Sequence, residues 1–481
     1  MTLNHDACYS AIQVRDARYD GRFFTAVKTT RIYCRPVCPA RTPLSKNVTF
    51  YSTAAAAQEA GYHPCLRCRP ETAPELGPGH ELPDSVARAL QLIELGALDE
   101  DGVDALAQRL GVGERQLRRQ FRLHLGASPV AVAQTRRVLL AKQLIHETQL
   151  PMAEIAFAAG FGSIRRFNEI FLDLFGRAPG ALRRSGKPEV PAGQDGEIKL
   201  LLRYRPPYDW DAMLGFLRLR AIPGIEHVTG DTYARTICLD GVQGAVTVRP
   251  AAGDALQATV RFPRLQALPA IIARLRRVFD LASDPAAIAA QFSSDPVMTA
   301  LMQARPGLRV PGAWDGFELA MRAVLGQQIT VVAAIRLAGK LVAAHGEPLA
   351  QPDGALTHVF PQPEAVAAAE LASLGMPRSR AATLSAVAAA AVADRHLFES
   401  AGGLEDAVRR LRTIRGVGEW TAQYIALRQL REPDAFPHAD IGLIRALERL
   451  ESREYTPAQL LARSESWRPW RAYAAQHLWS A

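Results

Sequence analysis

The sequence predicts a multidomain, mainly α-helical protein that also contains small α+β portions. The chain has 481 residues, which is too many for a single hydrophobic core. Two polar stretches rich in Pro and Gly, 71–84 and 185–197, are typical of linkers. Helical periodicity dominates elsewhere, except after residue 197, where alternating β-branched residues favour a small antiparallel sheet. We therefore expect four domains, over residues 1–75, 84–185, 197–310 and 311–481.

The net charge indicates an anionic partner. The chain carries 57 Lys and Arg residues against 48 Asp and Glu residues, which gives a formal net charge of +9. An excess of positive charge makes nucleic acid the first candidate partner. From charge alone, a soluble protein that is merely basic is the alternative.

The sequence shows neither a membrane span nor a secretory signal. No apolar run reaches the roughly 20 residues that a spanning helix needs. The first ten residues, MTLNHDACYS, lack the basic-then-apolar order of a signal peptide. We therefore expect a cytoplasmic protein with no membrane partner. In a reducing compartment, closely spaced cysteines indicate metal ligands or catalytic thiols before disulfides.

Four of the six cysteines form two close pairs. Three residues separate Cys34 from Cys38, two separate Cys65 from Cys68, and 26 residues lie between the pairs. This spacing is typical of a zinc site with four thiolate ligands, because each pair can occupy a tight turn. A purely structural zinc ion is the alternative to any reactive role.

The residues around these cysteines resemble a known family. Residues 23–71, which run from FFTAVKTTRIYCRPVCPAR to GYHPCLRCRPE, resemble the N-terminal domain of the Ada alkylation-repair regulators. The resemblance implies that Cys34 is both a zinc ligand and the acceptor of a methyl group from a methylphosphotriester in the DNA backbone. Zinc would keep the sulfur deprotonated and therefore nucleophilic. The neighbouring arginines, Arg31, Arg35 and Arg41, would contact the flanking phosphates.

Two helix-turn-helix units follow the first linker. Residues 103–126 and 152–184 each contain an apolar helix, a glycine-containing turn and a second helix, and 130–145 should form a long connecting helix. The pair resembles the DNA-binding domain of AraC-type activators, which implies promoter DNA and RNA polymerase as partners. Recognition helices should begin near Gly113 and Ser163. The candidate DNA-contacting residues are Arg115, Gln116, Arg118, Arg119, Ile164, Arg165, Arg166 and Asn168.

A helical bundle with solvated charges is the plainer interpretation of the same segments. Phe121, Phe167 and Phe171 are assigned to its core in either case.

In the Ada family, methylation of the head raises its affinity for DNA and turns on repair genes. Methylation converts a negatively charged thiolate into a neutral thioether. The head then repels the DNA phosphates less, which gives that switch a physical reason.

The segment LRTIRGVGEWTAQYIALRQL, residues 411–430, predicts a helix-hairpin-helix. One helix should end near Arg415, the residues Gly416, Val417 and Gly418 should form a tight turn, and a second helix should begin near Glu419. Glycines allow backbone amides at a helix N-terminus to face a DNA phosphate. Alone, this element predicts only DNA binding without sequence preference.

A segment that follows the hairpin, FPHADIGLIRAL at 436–447, places Asp440 at the start of a helix. This order resembles the HhH-GPD family of DNA glycosylases, and residues 197–481 resemble the AlkA-type alkylation glycosylases. The resemblance implies a small TBP-like α+β domain followed by an all-α glycosylase domain. It also implies that Asp440 stabilises the cationic sugar that forms as the base leaves, or orients the attacking water.

Aromatic residues are candidates for the pocket that holds an extruded, alkylated base. Trp420 and Tyr424 share a helix face. Trp479 corresponds to a pocket aromatic of the family, and Trp470 is expected nearby. Stacking and cation–π attraction would hold a cationic base at roughly 0.5–2 kcal/mol per ring. Core packing is the alternative role for each of these rings.

Several departures refine the resemblance. Trp420 stands where strand-nicking relatives have Lys, so a monofunctional enzyme is expected. No cysteine follows Cys238, so we expect no iron–sulfur cluster. In the segment LGQQIT, residues 325–330, Gln328 stands at the position that wedges into the duplex, where relatives can place Leu. The Pro-Cys-His-Arg segment of a second methyl-acceptor domain is missing.

Two functions compete at this point. The first is a methylphosphotriester-accepting transcriptional regulator with one zinc ion, fused to a monofunctional glycosylase that releases bases such as 3-methyladenine from alkylated double-stranded DNA. The second is a damage-responsive regulator whose C-terminal half binds DNA without catalysis. The carboxylate of Asp440 and the aromatic residues beside it favour the first. Either function implies a bacterial, nucleoid-associated protein.

Overall fold

A computed structural model describes residues 3–16, 19–73, 82–99, 101–183, 197–399 and 403–481. The two expected linkers, 71–84 and 185–197, lie for the most part outside these described residues. The chain divides into two compact units. The first comprises residues 1–203 and 264–273, and the second comprises residues 204–263 and 274–481.

The N-terminal head combines a four-stranded sheet with two helices. The sheet has the order β3-β1-β2-β4, in which β2 and β4 are parallel and the other pairs are antiparallel. Its core contains Phe24, Tyr33 and Tyr62. The elements of the head are α1 (His5–Gln13), β1 (Phe24–Val27), β2 (Ile32–Cys34), β3 (Val48–Tyr51), α2 (Ala54–Glu59) and β4 (His63–Pro64).

The middle of the chain is helical, as the sequence predicts. Gly113 and Ser163 precede the two expected recognition helices, and the Ser163 hydroxyl accepts a hydrogen bond from the backbone of Arg166. Phe121, Phe167 and Phe171 are fully buried, which confirms their assignment to the core. The helices are α3 (Asp84–Glu94), α4 (Val103–Arg109), α5 (Glu114–Leu125), α6 (Pro129–Glu147), α7 (Met152–Ala158) and α8 (Ile164–Phe175).

An antiparallel meander confirms the sheet predicted after residue 197. Strands β6 to β9 pair in sequence order, and alternate residues of β7 and β9 are buried. One strand, β5 (Glu197–Arg203), belongs to the first unit. The other elements of this region are α9 (Trp210–Arg220), β6 (Glu226–Thr229), β7 (Thr232–Leu239), β8 (Val242–Ala251), β9 (Ala255–Arg261) and α10 (Leu268–Val278).

The C-terminal region packs helices around one large apolar core. It departs from the expected all-helical pattern at one hairpin, β10 (Pro348–Asp353) with β11 (Leu356–His358), which turns at Gly354. Its helices are α11 (Pro285–Phe292), α12 (Pro296–Ala304), α13 (Gly316–Leu325), α14 (Val331–His345), α15 (Pro363–Ala367), α16 (Arg378–Ala393), α17 (Leu404–Arg412), α18 (Glu419–Ile425), α19 (Ile441–Glu451), α20 (Pro457–Arg463) and α21 (Arg471–Trp479). A π-helical turn, Ala426–Leu430, continues α18. Within the described residues, no helix has the length and apolarity to cross a membrane.

Candidate functional site

The four paired cysteines converge at one point in the head. Cys34 ends β2 and Cys65 follows β4, so the parallel pairing of these strands brings the two residues side by side. All four Sγ atoms of the cluster, including those of Cys38 and Cys68, lie within 4.8 Å of one another. Cys65 and Cys68 are buried, whereas Cys34 and Cys38 are half-buried.

The chemistry of this cluster suits a zinc ion. Hydrogen bonds with the other three thiols, followed by burial, raise the pKa of the Cys34 thiol, whereas the hydrogen bond with Cys34 lowers the pKa of Cys38 to about 7. Four thiolates this close would repel one another without a cation. A tetrahedral zinc ion with Zn–S bonds of about 2.3 Å fits four converging sulfurs and removes that repulsion.

The arginines around the cluster do not all point at solvent. The Arg35 guanidinium forms an ion pair with the buried carboxylate of Asp20, and its Nε lies 2.8 Å from Asp20 Oδ1. It also donates to the backbone carbonyl of Cys68, at 3.3 Å. Arg35 therefore holds the cluster together, which departs from the phosphate contact that we expected for it. Arg31 and Arg41 are exposed.

A buried ionic cluster joins the head to helix α6. The Lys142 ammonium on α6 is fully buried and donates to the backbone carbonyl of Cys65, at 3.0 Å, and to Glu71, at 2.5 Å. Arg69 bridges Glu71 and Glu147. Burial lowers the pKa of Lys142, which the nearby Glu71 opposes. Because Lys142 contacts the loop that carries Cys65, the ionic cluster ties the thiol cluster to the helix between the two helix-turn-helix units.

The predicted recognition helices α5 and α8 present their polar residues to solvent. Arg118 pairs with Glu114 and Arg165 pairs with Glu169, each one turn away on the same helix. Water screens exposed pairs of this kind, so a DNA phosphate can compete for the arginine. All eight predicted DNA-contacting residues are exposed, namely Arg115, Gln116, Arg118, Arg119, Ile164, Arg165, Arg166 and Asn168.

The predicted hairpin lies between α17 and α18. The second helix begins at Glu419, as expected, while the first ends at Arg412. Gly416 has a φ of +86°, and a Cβ there would lie 2.0 Å from Thr383 Oγ1, so only glycine fits. Val417 is buried and Gly418 is exposed at the start of α18. The exposed amides of this N-terminus can face a phosphate.

Asp440 is held by four N–H groups. Its side chain caps α19, where Oδ1 accepts hydrogen bonds from the backbone of Gly442, at 2.9 Å, and Leu443, at 3.1 Å. The indole of Trp420 donates to Oδ2 at 2.7 Å, and the indole of Trp479 donates to Oδ1 at 3.0 Å. These bonds fix the carboxylate at the wall of a cleft of about 1070 Å³.

The predicted pocket aromatics meet in this cleft. The Trp420 and Tyr424 rings stack with their centroids 5.2 Å apart, and Trp479 meets Tyr424 edge-on at 6.3 Å. All three line the cleft and are half-buried. Trp470 instead belongs to the apolar core, where it packs against Tyr473.

Among the residues that line the same cleft and were not predicted from the sequence are Phe216, Arg220 and Arg428. Phe216 and Arg220 come from α9, far from the hairpin in sequence, and no local pattern marks them. Arg428 could have been found, because it follows Tyr424 by four residues and therefore continues the face that Trp420 and Tyr424 share.

Gln328 lies on the loop between α13 and α14. It is exposed and has a φ of +57°, an uncommon conformation for a residue other than glycine. Its neighbour Gln327 anchors the loop by donating to the Gly416 carbonyl, at 3.3 Å, and to Thr421, at 3.1 Å. Ile329 lines the cleft. The loop therefore holds Gln328 outward beside the hairpin.

Comparison with protein families divides the chain into four matches. Residues 7–71 match the metal binding domain of Ada, and residues 106–185 match a helix-turn-helix domain. Residues 199–315 match the AlkA N-terminal domain. Residues 321–472 match the HhH-GPD superfamily of base excision DNA repair proteins.

Individual relatives match over long stretches. The chain is 42% identical over 481 residues to a probable bifunctional transcriptional activator/DNA repair enzyme AlkA of Mycobacterium tuberculosis, covering 99% of this chain and 96% of that protein. It is 36% identical over 286 residues to DNA-3-methyladenine glycosylase 2 of Escherichia coli, covering 58% of this chain and 95% of that enzyme. The structure of a 3-methyladenine DNA-glycosylase from Archaeoglobus fulgidus superposes with a TM-score of 0.52 at 23% identity, over 59% of this chain and 97% of that one. This similarity is one of fold.

Proposed function

The chain belongs to the family of bifunctional transcriptional activator/DNA repair enzymes, and from this premise we propose that it couples an Ada-type regulator to a DNA-3-methyladenine glycosylase. The glycosylase is monofunctional, hydrolyses the N-glycosidic bond of alkylated bases, and uses no iron–sulfur cluster. We assign the metal-binding head to residues 1–75 and the helix-turn-helix domain to 84–185. The glycosylase comprises a β-rich domain, 197–310, and a catalytic domain, 311–481.

The carboxylate of Asp440, fixed on the wall of the aromatic cleft, carries the glycosylase proposal. An alkylated purine already bears a positive charge, so it departs as a neutral base that takes the electron pair of the C1′–N bond. The sugar becomes cationic, and the nearby carboxylate stabilises that charge or orients the attacking water. Trp420, Tyr424 and Trp479 hold the extruded base. Gln328 is the proposed wedge, and the turn of Gly416, Val417 and Gly418 holds the backbone through its glycine amides, since the Val417 N–H already donates to the Ile414 carbonyl.

Release of free 3-methyladenine from alkylated duplex DNA tests this assignment. The purified chain should release the base, and Asp440→Asn should slow release by about 10²–10³-fold while leaving duplex affinity unchanged. Asn still caps a helix, so α19 should be preserved. Asp211→Asn changes an exposed carboxylate that lines the same cleft and serves as the matched control. Near-normal release by Asp440→Asn would defeat the catalytic assignment.

We further propose that the head accepts a methyl group on Cys34. The Cys34 thiolate would attack the methyl carbon of a methylphosphotriester, the methyl C–O bond would break, and its electron pair would remain on the phosphate as a restored diester. One bound zinc ion would supply the thiolate form of its ligands at neutral pH. Partial exposure of Cys34, beside the exposed Arg31 and Arg41, supports access by DNA.

Mass spectrometry after exposure to methylphosphotriester DNA tests the acceptor. Trypsin does not cleave before proline, so Cys34 and Cys38 stay on one peptide, 32–41, and fragmentation must locate the added methyl group. We expect one methyl group on Cys34. Cys8 and Cys238 lie outside the cluster and should stay unmodified, since burial raises the pKa of both thiols. A methyl group on Cys38 alone would end the proposal for Cys34.

The helix-turn-helix domain is proposed to bind promoter DNA through α5 and α8 and to recruit RNA polymerase at the nucleoid in the bacterial cytoplasm. Arg115, Arg118 and Arg119 on α5 and Arg165 and Arg166 on α8 are the proposed contacts. Methylation of Cys34 removes one negative charge from the metal centre and should tighten promoter binding. Titration of promoter DNA with methylated and unmethylated protein tests this, and equal affinities would contradict the switch.

A further inference from the structure

The aromatic cleft already contains a cation of the protein itself. The π-helical turn after α18 places Arg428 beside the rings of the cleft. Its Cζ atom lies 4.5 Å from the ring centroid of Phe216, 5.1 Å from that of Tyr424 and 5.3 Å from that of Trp479. Arg428 is 3% exposed, so this positive charge is shielded from water. π-Helical turns are rare and occur often at functional sites.

Hydrogen bonds fix the position of Arg428 in the cleft, and one of them joins it to Tyr424. Its Nη1 donates to the Pro311 carbonyl at 2.8 Å, and its Nη2 reaches Gln476 Oε1 at 3.3 Å. Its Nε is buried and makes no hydrogen bond within the part of the chain that the structure describes. Burial lowers the pKa of Arg428, which Tyr424 opposes. These contacts orient the guanidinium towards the rings of the cleft.

A second guanidinium extends the same positive region. Arg220 lies with its Cζ 3.9 Å from the Phe216 ring centroid and lines the cleft. Burial raises the pKa of Tyr424, but the charges of Arg428 and Arg220 outweigh that effect and lower it overall. Two guanidiniums therefore lie against the Phe216 ring, and we take this part of the cleft as the end that receives the base.

The negative charge of Asp440 lies at the other end of the Trp420 and Trp479 rings. Trp479 contacts Arg428 through its ring face and donates its indole N–H to Asp440. Trp420 donates to Asp440 and stacks on Tyr424, which faces Arg428. The cleft thus has a cation at its base end and a carboxylate at its sugar end, in a partly dry environment where charges act strongly.

We propose that Arg428 drives the movement of positive charge from the base to the sugar during base release. It thereby selects bases that are already cationic, because these bases react faster and not because they bind more tightly. The proposal rests on the glycosylase function given above. When the C1′–N bond breaks, its electron pair neutralises the base and the sugar becomes cationic. Repulsion from Arg428 is relieved in that step, while attraction to Asp440 grows. Only interactions that differ between ground and transition states raise the rate.

Competition for the aromatic faces gives the proposal its distinguishing feature. Arg428 occupies cation–π positions on Tyr424 and Trp479 that a cationic base would otherwise use. Removing the guanidinium should therefore tighten binding of a cationic base and slow its release. For a neutral lesion, loss of Arg428 should slow release, because negative charge develops on the leaving base, without tightening binding. A residue that merely supported the fold would weaken binding of both lesions.

Single-turnover kinetics on two duplexes test the proposal, one with 7-methylguanine, which is cationic, and one with hypoxanthine, which is neutral. For 7-methylguanine, Arg428→Met should lower the rate constant by roughly 10- to 100-fold. It should also lower the half-saturating protein concentration by about three- to tenfold. For hypoxanthine, the half-saturating concentration should not fall. Arg428→Lys keeps the charge and should restore much of the rate.

Arg220→Met keeps the test decisive if Arg428→Met folds poorly. Arg220 is less buried and stacks on Phe216, so its removal should lower repulsion of a cationic base and produce both changes with a smaller amplitude, without freeing the faces of Tyr424 and Trp479. A slower rate with weaker binding of 7-methylguanine in both variants would overturn the proposal. No base release by the unmodified chain would instead overturn the glycosylase function itself, so the two failures are distinguishable.

Discussion

The thiol cluster of the head and the aromatic cleft of the C-terminal region are assembled differently. The cluster takes its four sulfurs from residues 34–68, whereas the cleft takes its rings and charges from residues 209–479. In the proposed chemistry, the cluster is consumed when Cys34 becomes a thioether, and the carboxylate of Asp440 is regenerated after each base is released. A site whose residues are close in sequence can be recognised from spacing, whereas a dispersed site needs the fold to bring its charges together.

Removal of the metal should separate the two sites most strongly. Zinc sites of four thiolates contribute on the order of 10 kcal/mol to the folding of small domains. A chelator that strips the cluster should abolish methyl acceptance and increase hydrogen exchange in residues 63–71. Base release should be unchanged, because no cleft residue belongs to the thiol cluster. Metal-free protein that still accepted methyl groups would show that zinc does not activate Cys34.

Single substitutions at the two reactive groups should separate the activities completely. Cys34→Ala should abolish methyl acceptance and leave base release intact, because the remaining chemistry does not involve a thiol. Asp440→Asn should do the reverse. Both assays are run on one preparation of each variant, with equal duplex affinity as the control for folding. Loss of both activities in either variant would mean that the sites depend on each other.

Lys142→Met tests whether the ionic cluster supports the metal centre. The change leaves the Glu71 carboxylate buried without one of its cations, which typically costs about 3–5 kcal/mol. We expect faster hydrogen exchange in residues 63–71 and in the neighbouring part of α6. Arg115→Met, on the exposed face of α5, is the control and should change little. Unchanged exchange in Lys142→Met would refute this support.

A smaller effect is expected at the helix-hairpin-helix turn between α17 and α18. Gly416→Ala forces a positive φ on alanine and a clash with Thr383, so it should lower the free energy of unfolding by about 1–3 kcal/mol and weaken duplex binding. Gly418→Ala is the matched control, since its φ is −87° and, apart from its chain neighbours, no described residue comes within 4 Å of the added Cβ. Thermal unfolding measures the difference, and equal stability of the two variants would contradict it.

Local patterns carried much of the prediction. The starts of α5, α8 and α18 follow from Gly113, Ser163 and Gly418, because capping and turn residues act over a few positions. The convergence of the cysteines follows from two tight pairs. Asp440 was located by resemblance, and the structure places it beside Trp420 and Trp479.

Long-range contacts could not be predicted. Arg35 was expected to face phosphate, but its partner Asp20 is visible only once β2 and the preceding loop are placed. Lys142 looks like a surface cation of a helix, yet it is fully buried because the head covers it. The hairpin of β10 and β11 was missed although Asp353 and Gly354 are a hairpin signal, since the surrounding segments are rich in Ala.

One reaction tests the central claim that a consumed site and a regenerated site share the chain. The full chain is incubated with an excess of DNA that carries both methylphosphotriesters and 3-methyladenine, and both products are counted per chain over time. The account predicts that methyl groups on Cys34 stop at one per chain while released bases continue to accumulate well beyond one per chain. Base release that stopped at one per chain, or methyl transfer that continued past it, would contradict the account.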